Sequence, residues 1–244
     1  MSSSVSAREA EFIEEVRDRD MLFFSPRDVA RFLDLEKASA YNFLSRMSDK
    51  GLVERIESGK YILSEELDSR DVYELASNLV DASYLGFFSA LHFHGLTDQV
   101  PQKIQVATTK RKNNEVRIQG RKIEFITVNK KHFFGYGRYS GTVASDPEKT
   151  VIDSLRLPGK TGDLSNILEL DFSQLDAEKM VDYTVRSESS AVASRLGVLL
   201  DRKKLDFDSE KLQSKITHYS CFDPGKPREN PVKDWKVYLN RELK

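Results

Sequence analysis

The chain has 244 residues, 39% hydrophobic and 32% charged, with a net charge of −1 and one cysteine. That length serves one large domain or two ordinary ones, and it buries a core without staples. The composition excludes disordered and collagen-like classes, and the lone Cys221 excludes an internal disulfide or a thiolate-rich zinc site and fits a reducing cytoplasm.

Residues 8–20 read as a polar helix with Phe12, Ile13 and Val16 as its apolar positions. Ser25 then caps a second helix, with Pro26 at its first position and Asp28 where a capping-box acid sits. Val29, Phe32 and Leu33 recur at i, i+3, i+4. A short turn at Asp34–Lys37 leads to a third helix carrying Ala40, Phe43, Leu44 and Met47 inward, closed by Lys50 and Gly51. Leu52–Ile56 and Lys60–Leu63 flank Ser58-Gly59 as a hairpin. Helix, helix, turn, helix, hairpin is the order of a winged helix-turn-helix. The acidic run Ser64–Ser69 marks its boundary, which divides the chain into residues 1–66 and 67–244.

The remainder alternates helix and strand signals, so the expected class is α+β: a winged helix-turn-helix plus a larger mixed domain. Val72–Val80 reads as a helix, and Tyr84–Leu96 as a buried helix ended by Gly95. Strands follow at 104–108, 116–118, 122–128 and 139–144, with a turn at Gln119-Gly120 and another at Gly135–Gly137. Ser145 and Glu148 have capping-box spacing ahead of a helix ended by Pro158-Gly159. Helices are expected near 174–186 and 188–204, and the proline-bearing tail is irregular until Trp235–Leu239.

In a helix-turn-helix the second helix of the motif reads the major groove. Subtracting the core positions leaves Lys37, Ser39, Tyr41, Asn42, Ser45 and Arg46 outward. Asn42 pairs bidentately with adenine, and Ser39 and Tyr41 reach bases or phosphates. Arg46, Lys50, Arg55 and Lys60 suit phosphates, and Ser25 with Arg27 marks a helix N-terminus that favours an anion. Against this, residues 21–63 hold seven basic and six acidic groups, a weak electrostatic basis for DNA. The same fold also serves as a protein-interaction module.

Charge is segregated further on. Residues 64–100 carry −6 and residues 101–160 carry +8. Lys110, Arg111, Lys112, Arg117, Arg121, Lys122, Lys130 and Lys131 form either a surface for a polyanion or acidic protein, or one solvated lysine-rich face.

The chain as a whole resembles the AbiEi-type antitoxins of abortive-infection toxin–antitoxin systems, winged-helix transcriptional regulators. The likeness is carried by Gly51-Leu52-Val53, by Tyr84–Leu96 with Val100-Pro101 and Ile104–Thr108, by Phe133-Phe134-Gly135, and most specifically by Val143–Asp153; Asp223-Pro224, Trp235 and Asn240 also fit. The resemblance implies a winged helix that binds an inverted repeat in promoter double-stranded DNA and represses its own operon. It also implies a C-terminal domain that counteracts a nucleotidyltransferase-like toxin, with direct contact left open. The Gly-Ser turn and paired Asp residues of such a toxin are absent from this sequence.

No catalytic constellation, metal site or cofactor motif is expected. His92 and His94, at i and i+2 of one helix, point to different faces. Cys221 with His218 offers only sequence adjacency. Asp146, Glu148, Lys149 and Asp153 are accounted for by capping and ion pairing. No apolar run approaches the roughly 18 residues of a membrane span, and Met1–Glu15 lacks a secretory h-region, so a cytoplasmic protein without a membrane partner is expected. Two alternatives stand beside the antitoxin reading: a stand-alone transcription factor with a ligand- or protein-sensing C-terminal domain, and a C-terminal nuclease-like enzyme.

Overall fold

The computed structural model describes residues 4–112, 115–160 and 164–240, an α+β arrangement of helices and three sheets. Helix α1 (Ala7–Asp18) starts at a reciprocal cap, in which Ser6 N–H donates to Glu9 at 2.7 Å and Glu9 N–H to the Ser6 hydroxyl. Helix α2 (Pro26–Phe32) starts at Pro26, and α3 (Lys37–Asp49) ends before Gly51, whose φ of +72° suits a residue without Cβ. Strands β1 (Val53–Glu57) and β2 (Lys60–Leu63) pair antiparallel around Gly59. The inward positions of all five elements converge. Phe12 meets Phe24 and Phe43 edge-on at 5.1 and 5.7 Å, and Val29, Ala40, Leu44, Met47, Val53 and Leu63 close the cluster around them.

The acidic run after β2 forms helix α4 (Ser64–Ser69), whose Leu67 is buried beside Ile62 in the apolar cluster of the next sheet. Helix α5 (Val72–Asn78) follows, capped by Asp71.

The predicted helix over 84–96 is divided in two. Ser83–Leu85 is strand β3, Gly86 is extended, and helix α6 runs over Phe87–Phe93. A mostly apolar run has little period, so a buried strand and a buried helix look alike in it. Strands β4 (Lys103–Thr108), β5 (Val116–Ile118) and β6 (Arg121–Thr127) come next. The single predicted strand over 139–144 is a hairpin, β7 (Tyr136–Tyr139) and β8 (Thr142–Ser145). Its turn residues Ser140 and Gly141 have φ of +45° and +94°, the left-handed pair that a two-residue hairpin requires. Gly137 therefore lies in a strand, not in a turn.

The six strands order as β5-β6-β4-β3-β8-β7. The central β4 runs parallel to β6 and antiparallel to β3, so hairpins form both edges. One face carries Leu85, Ile104, Val106, Ile123 and Ala144 against Leu75 and Ala76 of α5 and Leu79 just after it. The other carries Tyr84, Ala107 and Ile126.

Helix α7 (Pro147–Arg156) begins one residue later than the predicted capping box. Asp146, not Ser145, is the cap and accepts from Lys149 N–H at 2.8 Å. Ser145 is buried at the end of β8, its hydroxyl on Leu85 O and Thr150 Oγ1. Helices α8 (Ser165–Leu168), α9 (Ala177–Ser187), α10 (Ser190–Arg202) and α11 (Ser209–Gln213) build a second apolar layer on α6 and α7. The proline-bearing tail is irregular over residues 222–230, but β10 (Pro231–Val232) departs from the expectation: with β9 (Ser220–Cys221) and β11 (Val237–Tyr238) it forms a small sheet that seats Trp235 over α10.

Candidate nucleic-acid interface

Helix α3 buries one face and presents the other. Ala40, Phe43, Leu44 and Met47 are buried, while Lys37, Ser39, Tyr41, Asn42, Ser45 and Arg46 are exposed, Tyr41 by 45%. Among the described residues these six side chains have no hydrogen-bond, ion-pair or ring partner. An exposed tyrosine among short polar and cationic groups, with the first acid only at Asp49, makes a ridge suited to hydrogen-bonding rather than to apolar docking. Arg27, on the first turn of α2, is exposed and also unpartnered. Arg55 on β1 is exposed, with its Nε on Glu57 O at 3.3 Å.

Three other predicted contacts are engaged elsewhere. Ser25 donates its hydroxyl and its N–H to Asp28 at 2.7 and 2.8 Å, so a carboxylate already meets the positive end of α2. Lys50 reaches Glu9 at 2.8 Å and Ser4 O at 3.2 Å, tying α3 to the start of α1. Lys60 does not project from a free hairpin tip. Its ammonium donates to Leu79 O and lies 5.8 Å from the Phe23 ring, and burial pulls its pKa down.

The hairpin itself is docked. Ile56 and Phe23 pack on the sheet cluster, and Glu57 pairs with Lys112 at 2.5 Å where both side chains are 15% exposed. Of the two cations predicted to flank the hairpin tip, Lys60 is engaged by Leu79 O, and Arg55 is exposed with its Nε on Glu57 O.

The basic block is mostly neutralised where it stands. Lys110 pairs with Asp81, Lys112 with Glu57, Arg117 and Lys122 with Glu115, and Lys131 with Glu188. Arg121 donates to Pro101 O. Arg111 and Lys130 remain exposed without such a partner among the described residues. The local charge excess read from sequence does not form one open cationic face.

The ion pairing expected of Lys149 and Asp153 is seen in a buried cluster behind the sheet, whose other members, Tyr84 and Arg156, the sequence reading did not bring in. Lys149 and Asp153, each 1% exposed, pair at 2.5 Å; Tyr84 donates to the same carboxylate at 2.8 Å, and Arg156 reaches its other oxygen at 3.2 Å. Burial lowers the Lys149 pKa, opposed by Asp153, and burial pushes the Tyr84 phenol well up. The only sequence signal was a Lys–Asp pair at i, i+4 followed by an arginine three residues on, a common surface pattern.

The other discounted motifs have structural partners. His92 Nδ1 meets Tyr73 OH at 3.0 Å, and His94 Nε2 meets Ser145 O at 2.6 Å. Asp146 and Glu148 both bind Lys179 of α9, at 3.3 and 2.8 Å. His218 Nδ1 bonds Thr217 Oγ1, and no hydrogen bond joins it to Cys221 among the described residues. No group of three or more His, Cys, Asp or Glu side chains fit to hold a metal occurs among the described residues. No described helix is long and apolar enough to cross a membrane.

No family model matches the sequence, and no curated protein matches it. The fold is similar to that in the crystal structure of the RV2827C protein from Mycobacterium tuberculosis, with a TM-score of 0.59 and 13% identity over 96% of this chain and 92% of that one. At that identity the likeness is one of fold.

Proposed function

We propose that the chain is a DNA-binding regulator of a toxin–antitoxin operon, in which α1 to β2 act as a winged helix and α3 is the recognition helix. One observation carries the reading. The outer face of α3 exposes Lys37, Ser39, Tyr41, Asn42 and Arg46, and none of these side chains has a partner among the described residues. Asn42 reads a base edge, Ser39 and Tyr41 contact bases or phosphates, and Arg27, Lys37, Arg46 and Arg55 hold phosphates. An inverted repeat takes two copies, one per half-site.

The antitoxin role rests on the family resemblance, centred on Val143–Asp153. Its test is cellular. A reporter behind the operon's own upstream region should be repressed by the chain, and repression should be lost with Asn42→Ala. Separately, co-expression should relieve growth arrest by the neighbouring nucleotidyltransferase-like toxin. Arg111→Glu with Lys130→Glu, two exposed cations of the basic block without a side-chain partner among the described residues, should abolish that relief. Unchanged rescue removes the block from the mechanism, and the lack of such a toxin gene removes the antitoxin reading.

A further inference from the structure

The six-stranded sheet brings cations to the end of the N-terminal hairpin. Glu57 takes Arg55 Nε on its carbonyl at 3.3 Å and Lys112 Nζ on its carboxylate at 2.5 and 2.7 Å. Arg55 and the segment after β4 therefore meet at one residue. A second tie lies on the other strand of the hairpin. Lys60 donates to Leu79 O, and Asp81, two residues on, pairs with Lys110 at 3.0 Å. The hairpin end is thus bracketed by residues 79–81 and 110–112. Arg111 stands between two anchored neighbours, with its own side chain exposed.

These cations differ in how firmly they are held. The Lys112–Glu57 pair is shielded, and Lys112 also lies 4.9 Å from the Phe125 ring, so it serves as the tie. The Lys110–Asp81 pair is open, with side chains 55% and 96% exposed, so it is screened and Lys110 exchanges its partner at little cost. Arg111 has no side-chain partner among the described residues. Lys110 and Arg111 are therefore ready to meet an external anion. The field there favours one: residues 55–60, 79–81 and 108–112 hold five cations and two carboxylates.

We propose that Lys110 and Arg111 belong to the DNA interface, where they hold phosphates of the duplex backbone next to Arg55, beyond the groove that α3 reads. The inference rests on the DNA-binding reading of α3 and extends it into the second half of the chain. Strand β1 begins four residues after the end of α3, and Val53 and Leu63 share the apolar cluster of Met47, so the hairpin stands directly beside that helix. The major groove is about 12 Å wide, so a duplex seated on α3 continues past it and lays its backbone against the flanking elements. Lys60 is spent on Leu79 O, and the segment after β4 takes over the phosphate contacts of the hairpin end. Those contacts also answer the weak charge of residues 21–63, seven basic against six acidic, because phosphate neutralisation dominates affinity. Continuity with Arg55 and α3 favours a duplex over an acidic protein as the occupant.

The test titrates the full chain by fluorescence anisotropy with its own upstream duplex and with a scrambled one, across a range of salt. Lys110→Gln with Arg111→Gln should weaken both duplexes alike, keep the ratio between them, and flatten the slope of log affinity against log salt by about 2. Lys110→Arg with Arg111→Lys keeps both charges and should restore the slope. Lys226→Gln with Lys233→Gln, exposed cations of the tail, is the charge-matched control and should leave the slope unchanged. All four positions lie at the surface, so melting temperatures should match the wild type. An unchanged slope in the double Gln variant of Lys110 and Arg111, while Asn42→Ala still abolishes the preference, overturns the inference and leaves these cations to an acidic protein. So does an equal loss of slope in the tail control. No binding, or binding equal for the two duplexes and unchanged in Asn42→Ala, overturns the α3 reading on which the inference rests.

Discussion

At the scale of single residues, the outcome turns on which side chains are already taken. Lys60 and Arg55 flank the same hairpin and look equivalent in the sequence. Yet Lys60 is held by Leu79 O, a partner 19 positions away, and Arg55 is not so held. Propensity and spacing carry no information about that partner. The same holds for Lys149, whose burial follows from strands β3 and β8 and the loop at Gly135 closing over α7. Removing one member of that buried pair strands the other. Asp153→Ala should therefore cost about 3–5 kcal/mol in a chemical-denaturation experiment; a loss below about 1 kcal/mol would mean that water reaches the cluster.

His132 gives a pH signature. Its folded pKa of about 4 lies below the free value of 6.5, so between those limits the unfolded chain binds the additional proton. Stability should therefore rise with pH from about 4 to 6.5. His132→Gln should remove that part of the slope in melting curves, and an unchanged slope would place the imidazole in solvent.

At the scale of elements, the sequence was most legible where a period and a cap agree. Helices α2, α3 and α7 and the Gln119-Gly120 hairpin stand close to where apolar spacing and turn residues put them. It was least legible in the apolar run after Ala82, where β3 and α6 share one hydrophobic signal. The Ser145–Glu148 spacing misled by one residue, because Asp146 competes for the same role and Ser145 is needed inside the sheet.

Helix α10 illustrates a contact that only the assembled element reveals. Gly197 lies beneath the Trp235 ring, so closely that a Cβ would overlap it. Gly197→Ala, which raises helix propensity, should nonetheless destabilise the protein by about 1–3 kcal/mol through overpacking. A rise in melting temperature would show that the tail sheet is not seated on α10.

At the scale of the whole molecule, the N-terminal unit and the six-stranded sheet share apolar residues. Ile62 and Leu67 belong to the sheet's cluster, and Leu22, Phe23 and Ile56 pack against it. Nothing in the composition shift near residue 64 signals that packing. The +8 segment shows why net charge by segment is a poor map of surface. Its lysines find Asp81, Glu57 and Glu188 from other parts of the chain. A double-mutant cycle on Glu57→Ala and Lys112→Ala should give a coupling of about 1 kcal/mol or more, since the pair is only partly screened. Hydrogen exchange in β1 and β2 should speed up in both variants. Zero coupling would mean that the hairpin is free.

The account stands or falls on the outer face of α3. The direct measurement is a fluorescence-anisotropy titration of the full chain against a duplex from its own upstream region and a scrambled duplex, across a range of salt. The wild type should prefer its own duplex, with a slope of log affinity against log salt of about −5 per copy, as expected for the phosphate contacts assigned here. Asn42→Ala should bring the two affinities together, and Arg46→Ala should weaken both alike and reduce the slope by about 1. Equal, sequence-indifferent binding by the wild type and both variants would contradict the account.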